Sequence, residues 1–442
     1  MYNDKYVEDF YEIVKEDPEK YHSDYLSIRK KIKKDFKDND GKIMNNLYQG
    51  YFYSKKEWDN YYSIAKTLMS ITKKVIKNYV EDEEYRKLFG FPEKLEELIL
   101  HDPGYDIPVP MCRYDMFYDN EDDFMFLEFN TDGTSAMNED KIIGENLFAS
   151  KAMREFNKKH DVRTIDLFTP WVEKSTAIYE AKLNKKPNIA IVDFLELATM
   201  ADFKMFKDYY KAAGYNCEIC DIRDLTYEKG NLMCKDYKID LVYRRFVALE
   251  FMKHYDEVTD FIKAYLDNAF MMLGSFRTHI MHEKKTFKVL HDEKTFEILS
   301  PEEVEFIKNH IPFTAMLEPK VADKIKGNKD EYIIKPIDGY MSTGVAPGQK
   351  YDQEEWNRIV DEALDEEYIY QKFYNSKPLS FVEFDEEGKA QRADYGAVIG
   401  LYIFAEEFSG LYVRIGKQSV IGGFQSTYFI APNMYIDCYN AG

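Results

Sequence analysis

Hydrophobic positions in the first hundred residues follow the spacing of helices. They recur three or four residues apart, which places them on one face of a helix. In the clearest stretch these positions are Trp58, Tyr61, Ile64, Leu68, Ile71 and Val75. Lysines and glutamates fill the positions between them and suit a solvated face. The pattern predicts a helical N-terminal region over residues 1–105.

Residues 186–250 alternate between short apolar runs and one amphipathic segment. The runs PNIAIVDF, NCEICDI and KIDLVYRRF are typical of strands, and the segment TMADFKMFKDYYKAAGY has helical spacing and ends at a glycine. Strands and a helix in this order predict a small α/β domain with a partly parallel sheet.

Strand and helix patterns also divide the rest of the chain. Residues 108–130 have strand character, and helical spacing resumes near Glu139 and again from about 255 to 325. From 331 to 435 strands return around one helix, Gln353 to Leu364, which predicts an antiparallel sheet.

Composition and charge narrow the classes of function. The formal net charge is −20 and the pI is near 5.0, which argues against nucleic-acid binding, since phosphates need clustered Lys and Arg. The charged N-terminus lacks the apolar run of a signal peptide, and no stretch has the ~20 apolar residues of a membrane span. Five cysteines, an odd number, suggest reduced thiols in a cytoplasm.

Two strand-like segments carry polar residues within apolar runs, and these polar residues are candidates for a functional site. In VPMCRYDMFYD, Arg113 and Asp115 share one strand face, and in FMFLEFN so do Glu128 and Asn130. The polar run at 120–123 suits a turn between them. If Asp119 faces Phe124 in this hairpin, Asp115 faces Glu128 and Arg113 faces Asn130, only ~5 Å apart.

This hairpin places two negatively charged carboxylates, Asp115 and Glu128, opposite each other. Opposed like charges repel, and Glu128 lies in an apolar run where an unpaired charge is costly. A hard cation such as Mg²⁺ would relieve the conflict, with Asp115, Glu128 and the Asn130 carbonyl oxygen as ligands. The alternative is an exposed charged face that water screens.

Downstream, a lysine and a glycine loop form a second candidate site, one for binding phosphates. Lys335 ends the strand EYIIKP, and the following IDGYMSTGV, with Gly339 and Gly344, suits a loop whose backbone N–H groups cover phosphates. A plain strand and turn is the alternative. Arg414 lies near the end of another predicted strand, where simple exposure is the alternative.

In this order, these segments resemble the synthetase part of the glutathionylspermidine synthase family. The similar segments are RYD at 113–115, LEFNTD at 127–132, EKKTFKVL at 283–290, KP at 335–336, IYQ at 369–371 and GLYVR at 410–414. Glu283 stands where the family has Asn, and Ile415 replaces the acidic residue that follows the family's arginine. The amidase domain of some members is absent.

The resemblance implies a circularly permuted ATP-grasp fold, within a mixed α+β and α/β class. Residues 106–185 and 331–442 would form the catalytic core with mixed and antiparallel sheets. Residues 186–250 would be the small α/β domain on the substrate side, and 251–330 a helical part that leads into the nucleotide-binding lid.

The resemblance also implies the residues of the site. Asp115, Glu128 and Asn130 would bind Mg²⁺, and Arg113 and Arg414 would be catalytic. ATP would contact Arg113, Lys284, Lys335, Gly339, Gly344 and Gln371, with Lys285 as the near alternative to Lys284. The turn after the metal ligands is placed to contact the substrate acid, and the substrate candidates are Asp132, Thr134, Ser135 and Arg244.

The implied activity is ATP-dependent ligation of a carboxylate and an amine through an acyl phosphate. The partners would be a small-molecule or peptide acid and an amine, without nucleic acid or membrane, in a monomer or homodimer. Two alternatives stay open, a peptide or natural-product ligase with unrelated substrates and an inactive nucleotide-binding protein. The sequence names neither substrate.

Overall fold

The computed structural model describes residues 2–337, 344–418, 420–421 and 427–437. The N-terminal region is helical, as predicted, with one short strand. Its elements are α1 Tyr2–Glu16, α2 Pro18–Asp38, β1 Tyr51–Ser54, α3 Lys55–Glu81, α4 Glu83–Arg86 and α5 Glu93–Leu100. Ser54 and Glu57 form a capping box that starts α3. The predicted apolar stripe of α3 is buried from Tyr61 onward.

The next segment contains the predicted hairpin and a helical stretch. Its elements are β2 Met111–Tyr118, β3 Phe124–Asn130, α6 Met137–Phe148, α7 Lys151–Phe156, β4 Asp161–Thr164 and α8 Phe168–Leu183.

The predicted small α/β unit is present. Its elements are β5 Asn188–Asp193, α9 Met200–Ala212, β6 Asn216–Asp221, β7 Leu225–Glu228, β8 Asn231–Cys234, β9 Tyr237–Ile239, β10 Leu241–Arg244, α10 Ala248–Lys253, α11 Thr259–Leu266 and β11 Met271–Leu273. The strands β11, β10, β5 and β6 form a parallel sheet in that order, and β7, β8 and β9 form a separate antiparallel one. The predicted single strand KIDLVYRRF is therefore two strands in two sheets.

Helices dominate up to the lid, as predicted. The elements are α12 His279–His282, α13 Thr286–Leu290, α14 Glu293–Glu297, α15 Pro301–His310, β12 Thr314–Met316, α16 Pro319–Gly327, β13 Tyr332–Pro336, β14 Ala346–Pro347, α17 Gln353–Ala363 and β15 Tyr368–Lys372. The order β12, β15, β13, β14 gives an antiparallel sheet with its own core, which includes Trp356 and Ile325. We call this sheet, with α16 and α17, the lid.

The chain closes with long antiparallel strands. They are β16 Leu379–Phe384, β17 Ala390–Phe404, β18 Glu407–Gly416, β19 Phe429–Ile430 and β20 Asn433–Asp437. Short 3-10 turns lie at Ile222–Asp224, Tyr255–Glu257, Phe276–Thr278, Lys329–Glu331 and Gly348–Lys350. The prediction of one antiparallel sheet over the last third was wrong, because the lid strands pair among themselves.

The central sheet runs β19, β18, β17, β2, β3, with β16 also paired to β17. Strand alternation gives it one apolar face, where Tyr114, Met116, Ile399, Leu401 and Val413 belong to the main core that includes the α3 stripe. The opposite face carries the polar residues of the predicted hairpin. A further sheet joins β1, β20 and β4.

Among the helices of the described residues, none has both the length and the apolar composition for a membrane crossing.

Gly348 tests the packing of the lid. A Cβ at this position would lie 2.1 Å from the Lys329 carbonyl oxygen, so the 3-10 turn before β13 and the 3-10 turn after β14 would have to separate. We expect Gly348→Ala to lower the free energy of unfolding by about 1–3 kcal/mol in urea denaturation. Gly327→Ala is the control, since nothing lies within 4 Å of its Cβ. Equal midpoints for Gly348→Ala and the wild type would contradict this packing.

Candidate active site

The polar face of the central sheet holds the predicted hairpin residues together. Arg113 pairs with Asn130 and Asp115 with Glu128, as predicted from the sequence. The predicted pairing nearer the turn was wrong by one residue, because Tyr118 and not Asp119 faces Phe124. A register shift after Asp115 leaves Leu127 unpaired as a bulge, so the error does not reach the functional pairs.

Asp115 is the buried centre of this face. Its side chain is fully buried and accepts hydrogen bonds from Arg113 Nε at 2.7 Å and Arg113 Nη2 at 3.0 Å. Arg414 Nη2 donates to the same carboxylate, and Asn130 Nδ2 donates at 3.1 Å. Burial raises the pKa of Asp115, but Arg113 and then Arg414 outweigh it and lower this pKa to about 2. The carboxylate therefore stays charged.

These contacts change the expected balance of charge. The sequence suggested a costly buried charge at Glu128, but Glu128 is exposed and Asp115 is the buried carboxylate. Two arginines rather than one offset the pair. The electrostatic need for a cation is therefore weaker than the sequence suggested.

The donor set still fits Mg²⁺. Asn130 Nδ2 lies 3.1 Å from Asp115 Oδ2 and 3.3 Å from Glu128 Oε1, so this amide sits between the two carboxylates. Rotation of the amide would present its oxygen to an ion bound there, and two carboxylates with an amide oxygen suit Mg²⁺. Among the described residues, no three His, Cys, Asp or Glu side chains cluster as a metal site.

Gly400 makes room for the buried pair, and it was not singled out from the sequence. It faces Asp115 across β17 and β2, and a Cβ there would lie 2.6 Å from Asp115 Oδ1 and 2.7 Å from Arg113 Cδ. A lone glycine inside a strand pattern is itself a signal of close approach.

Lys335 links the lid to the hairpin. Its Nζ donates to the carbonyl of the bulged Leu127 at 3.3 Å and to Gln371 Oε1 at 2.7 Å. Gln371 Nε2 donates to Thr314 Oγ1 at 2.9 Å. The pKa of Lys335 is lowered to about 8, mainly by burial; the Glu128 charge opposes this shift and the nearby Lys284 charge adds to it. Lys335 therefore lies beside Gln371 and Lys284, which are also predicted residues of the nucleotide site.

The remaining predicted nucleotide residues divide into three cases. Lys285 Nζ donates to the Phe89 carbonyl at 3.1 Å, whereas Lys284 is close enough to Lys335 to affect its pKa. Gly344 has φ +72°, and a Cβ there would lie 2.9 Å from the Tyr368 hydroxyl. Gly339 lies outside the described residues.

The turn after the hairpin joins the site to the small α/β unit. Asp132 is fully buried, forms an ion pair with Arg244 and accepts the Ala248 N–H at 2.8 Å. His279 Nδ1 lies 3.5 Å from the other side of this carboxylate. The pKa of Asp132 is lowered, because the Arg244 charge and the His279 contact outweigh burial. These contacts occupy Asp132 and Arg244 within the protein.

Thr134 and Ser135 lie closer to the polar face of the central sheet. We call this face, which carries Arg113 and Arg414, the arginine face. The Thr134 hydroxyl donates to the Asn130 carbonyl at 2.7 Å. The Ser135 carbonyl accepts from Arg113 Nη1 at 3.0 Å and from the Tyr402 hydroxyl at 2.6 Å. Tyr402 is a contributor that the sequence did not reveal. Of the four predicted substrate residues, Ser135 is thus bonded directly to Arg113.

The sequence of the chain matches a known protein family. The sequence profile described as glutathionylspermidine synthase preATP-grasp matches residues 28–431. The chain therefore belongs to this family, as the resemblance indicated. A search of curated proteins returned no match.

Two solved structures are similar to this chain. A glutathione synthetase-like effector from Globodera pallida matches with a TM-score of 0.53 and 11% identity, over 89% of this chain and 90% of the other. A protein assigned as a γ-glutamylcysteine synthetase from Methylobacillus flagellatus KT matches with a TM-score of 0.42 and 9% identity, over 81% and 84%. The first match shows a shared fold.

The Arg244–Asp132 pair provides a test of structural against substrate roles. Arg244→Met leaves a buried, unpaired carboxylate, so we expect the free energy of unfolding to fall by about 3–5 kcal/mol. The double variant Arg244→Met/Asp132→Asn should recover much of this loss in chemical denaturation. Wild-type stability of Arg244→Met, with a raised KM for the acid, would instead assign Arg244 to substrate binding.

Proposed function

We propose that the protein is an ATP-dependent ligase that joins a carboxylate and an amine through an acyl phosphate. The observation that carries the proposal is the convergence on one sheet face of Arg113, Arg414, Asp115 and Glu128, with Lys335 of the lid bonded to the adjacent Leu127. Cations and carboxylates so arranged suit the transfer of a phosphoryl group, whose catalysis is mainly positioning and charge stabilisation.

The nucleotide would bind between the lid and the central sheet. Lys284 and Lys335 would neutralise its phosphates, with Arg113 beside them, and the 337–348 segment, which contains Gly339 and Gly344, would cover them. The contact of Lys285 with Phe89 favours Lys284 as the first of these lysines. Gln371, bonded to Lys335 on the lid, would lie near the adenine.

Magnesium would be held by Asp115, Glu128 and Asn130. When bound, the ion would neutralise phosphate oxygens during transfer. Because Glu128 is exposed and Asp115 is buried against arginines, Glu128 is the more accessible of the two carboxylates.

The arginines would stabilise the negative charge of the reaction. Arg113 is fixed in place by Asp115 and by the Ser135 carbonyl, and it would contact the transferring phosphoryl group. Arg414 keeps one unused donor, since its buried Nε–H has no hydrogen-bond partner among the described residues. This donor suits an oxyanion that forms on the acid carbon, because preorganised donors act best where charge develops.

The family's name suggests glutathione as the acid and spermidine as the amine. The turn at 131–135, which is bonded to Arg113 through Ser135, is the proposed contact for the acid, with Asp132, Thr134 and Arg244 shaping it. The protein would work in the cytoplasm, as a monomer or homodimer.

The activity is tested by ADP release. With ATP and Mg²⁺, the wild type should release ADP when both an acid and an amine are present, starting with glutathione and spermidine, and mass spectrometry should detect the amide. We expect Arg414→Ala to lower the rate by about 10²–10³-fold. Arg392→Ala is the matched control, because Arg392 is an exposed arginine of β17 paired with Glu8. Stabilisation by ATP without ADP release, across a panel of acids and amines, would favour an inactive nucleotide-binding protein.

The metal ligands are tested by titration with Mg²⁺. Removal of divalent ions with EDTA should abolish ADP release. Glu128→Gln should raise the Mg²⁺ concentration for half-maximal rate by at least the ~10–100-fold that loss of an outer-shell partner costs a metal site. Glu121→Gln, in the exposed turn of the same hairpin, should leave it unchanged. An unchanged Mg²⁺ requirement in Glu128→Gln would remove Glu128 from the metal site.

A further inference from the structure

A carboxyl group that the proposed mechanism does not use lies beside the two arginines. Glu139 is in the first turn of α6, directly after the 131–136 turn. The start of this helix is fixed, because the buried Asp202 accepts the N–H groups of Ala136 at 2.8 Å and Asn138 at 2.9 Å. Asp140, the next residue, accepts the Asn433 N–H at 3.0 Å. Glu139 is therefore held rigidly and remains partly accessible to solvent.

Tyr412 connects Glu139 to the arginine face. Its hydroxyl donates to Glu139 Oε2. Its ring lies 4.9 Å from the Arg113 guanidinium and 5.7 Å from that of Arg414. Tyr412 and Arg414 are two residues apart on β18, so they project from the same sheet face. The carboxyl group thus borders the place where the acid would be activated.

The arginines do not use this carboxylate as a counter-ion. Both bind Asp115, and across the described part of the chain no ion pair joins Glu139 to either of them. The pKa of Glu139 is raised to about 7, mainly by burial and also by the Asp202 charge, whereas the Tyr412 hydrogen bond and the charges of Arg113 and Arg414 act in the opposite direction. At neutral pH this group can therefore accept a proton.

The proposed reaction needs such an acceptor. An alkyl amine, like the Lys side chain, has a pKa of about 10.4 and is a cation at pH 7, yet only its neutral form attacks a carbonyl carbon. Asp115 is unsuited because its pKa is about 2 and its oxygens are occupied by arginines. Glu128 is reserved for the metal in the proposed function. Glu139 is a further carboxyl group that is hydrogen-bonded to this face through Tyr412.

We propose that Glu139 is the general base that deprotonates the attacking amine, an assignment that rests on the proposed ligase function. The ammonium gives one proton to the Glu139 carboxylate and becomes a neutral amine. Its nitrogen then forms a C–N bond to the acyl carbon, the bond from that carbon to the bridging phosphate oxygen breaks, and phosphate leaves with the electron pair. The second amine proton passes to the departing phosphate as the amide forms, and Glu139 returns its proton to solvent.

The pH dependence of the rate depends on the charged and titratable groups around Glu139. They come from its own helix, from β2, from α9, from β18 and from the segment before β19, and they are Asp140, Arg113, Asp202, Tyr412, Arg414 and Tyr428.

The test separates activation of the acid from attack by the amine. Glu139→Gln should keep acid-dependent positional isotope exchange in oxygen-labelled ATP, measured with glutathione, because that step needs no amine. With spermidine, amide formation at pH 7 should fall by about 10²–10⁴-fold. Hydroxylamine, which is largely neutral at pH 7, should still give the hydroxamate at near wild-type rate.

The pH profile supplies a second readout. The wild-type rate with spermidine should rise up to about pH 7 and then level, whereas the rate of Glu139→Gln should rise about tenfold per unit toward the amine pKa. Tyr412→Phe removes a hydrogen bond that lowers the pKa of Glu139, so its rising limb should move to higher pH. Glu145→Gln, an exposed residue of the same helix paired with Lys141, should match the wild type.

Three outcomes would overturn the assignment. Equal loss of isotope exchange and amide formation in Glu139→Gln would make Glu139 a structural residue of the acid site. Equal losses with spermidine and hydroxylamine would exclude a role in deprotonation, as would a parallel pH profile in variant and wild type. Absence of exchange in the wild type with every acid of the panel would be a different failure, since it would overturn the proposed function, and the base assignment with it.

Discussion

The site depends on one buried interaction, the carboxylate of Asp115 held between Arg113 and Arg414. The three residues come from two strands that are far apart in the chain, so their contact requires β17 between β2 and β18. Gly400, at the centre of β17, leaves the space that the carboxylate and the Arg113 side chain occupy. A buried ion pair of this kind is costly to break once formed, so the central sheet and the arginine positions are fixed together.

Around this centre the polar contacts extend outward in two directions. In one direction the contacts lead to Lys335 of the lid, through Asn130, Glu128 and the bulged Leu127. In the other direction they lead to the small α/β unit, through Ser135 and the buried Asp132–Arg244 pair. The bulge matters because it frees a backbone carbonyl that a regular ladder would have used.

The sequence allowed the pairing of Arg113, Asp115, Glu128 and Asn130 to be predicted, because alternate polar residues in apolar runs mark a shared face. The bulge was not predictable, since Leu127 looks like any apolar strand residue. The contact of Asp115 with Arg414 was not predictable either, because the two residues are far apart along the chain. The partners of Asp132 were hidden for the same reason. Of these features that were not predicted, Gly400 is the one with a recognisable sequence signal, because it is a glycine within a strand pattern.

The sheet of β1, β20 and β4 has a consequence for how the chain folds. Its central strand, β20, is near the end of the chain, whereas its two neighbours come from the first 164 residues. During synthesis those neighbours leave the ribosome long before their shared partner, and each waits with an unsatisfied strand edge. Such long-range pairing slows folding and leaves edges open to association. Completion of the N-terminal region is therefore expected to be a late step of folding.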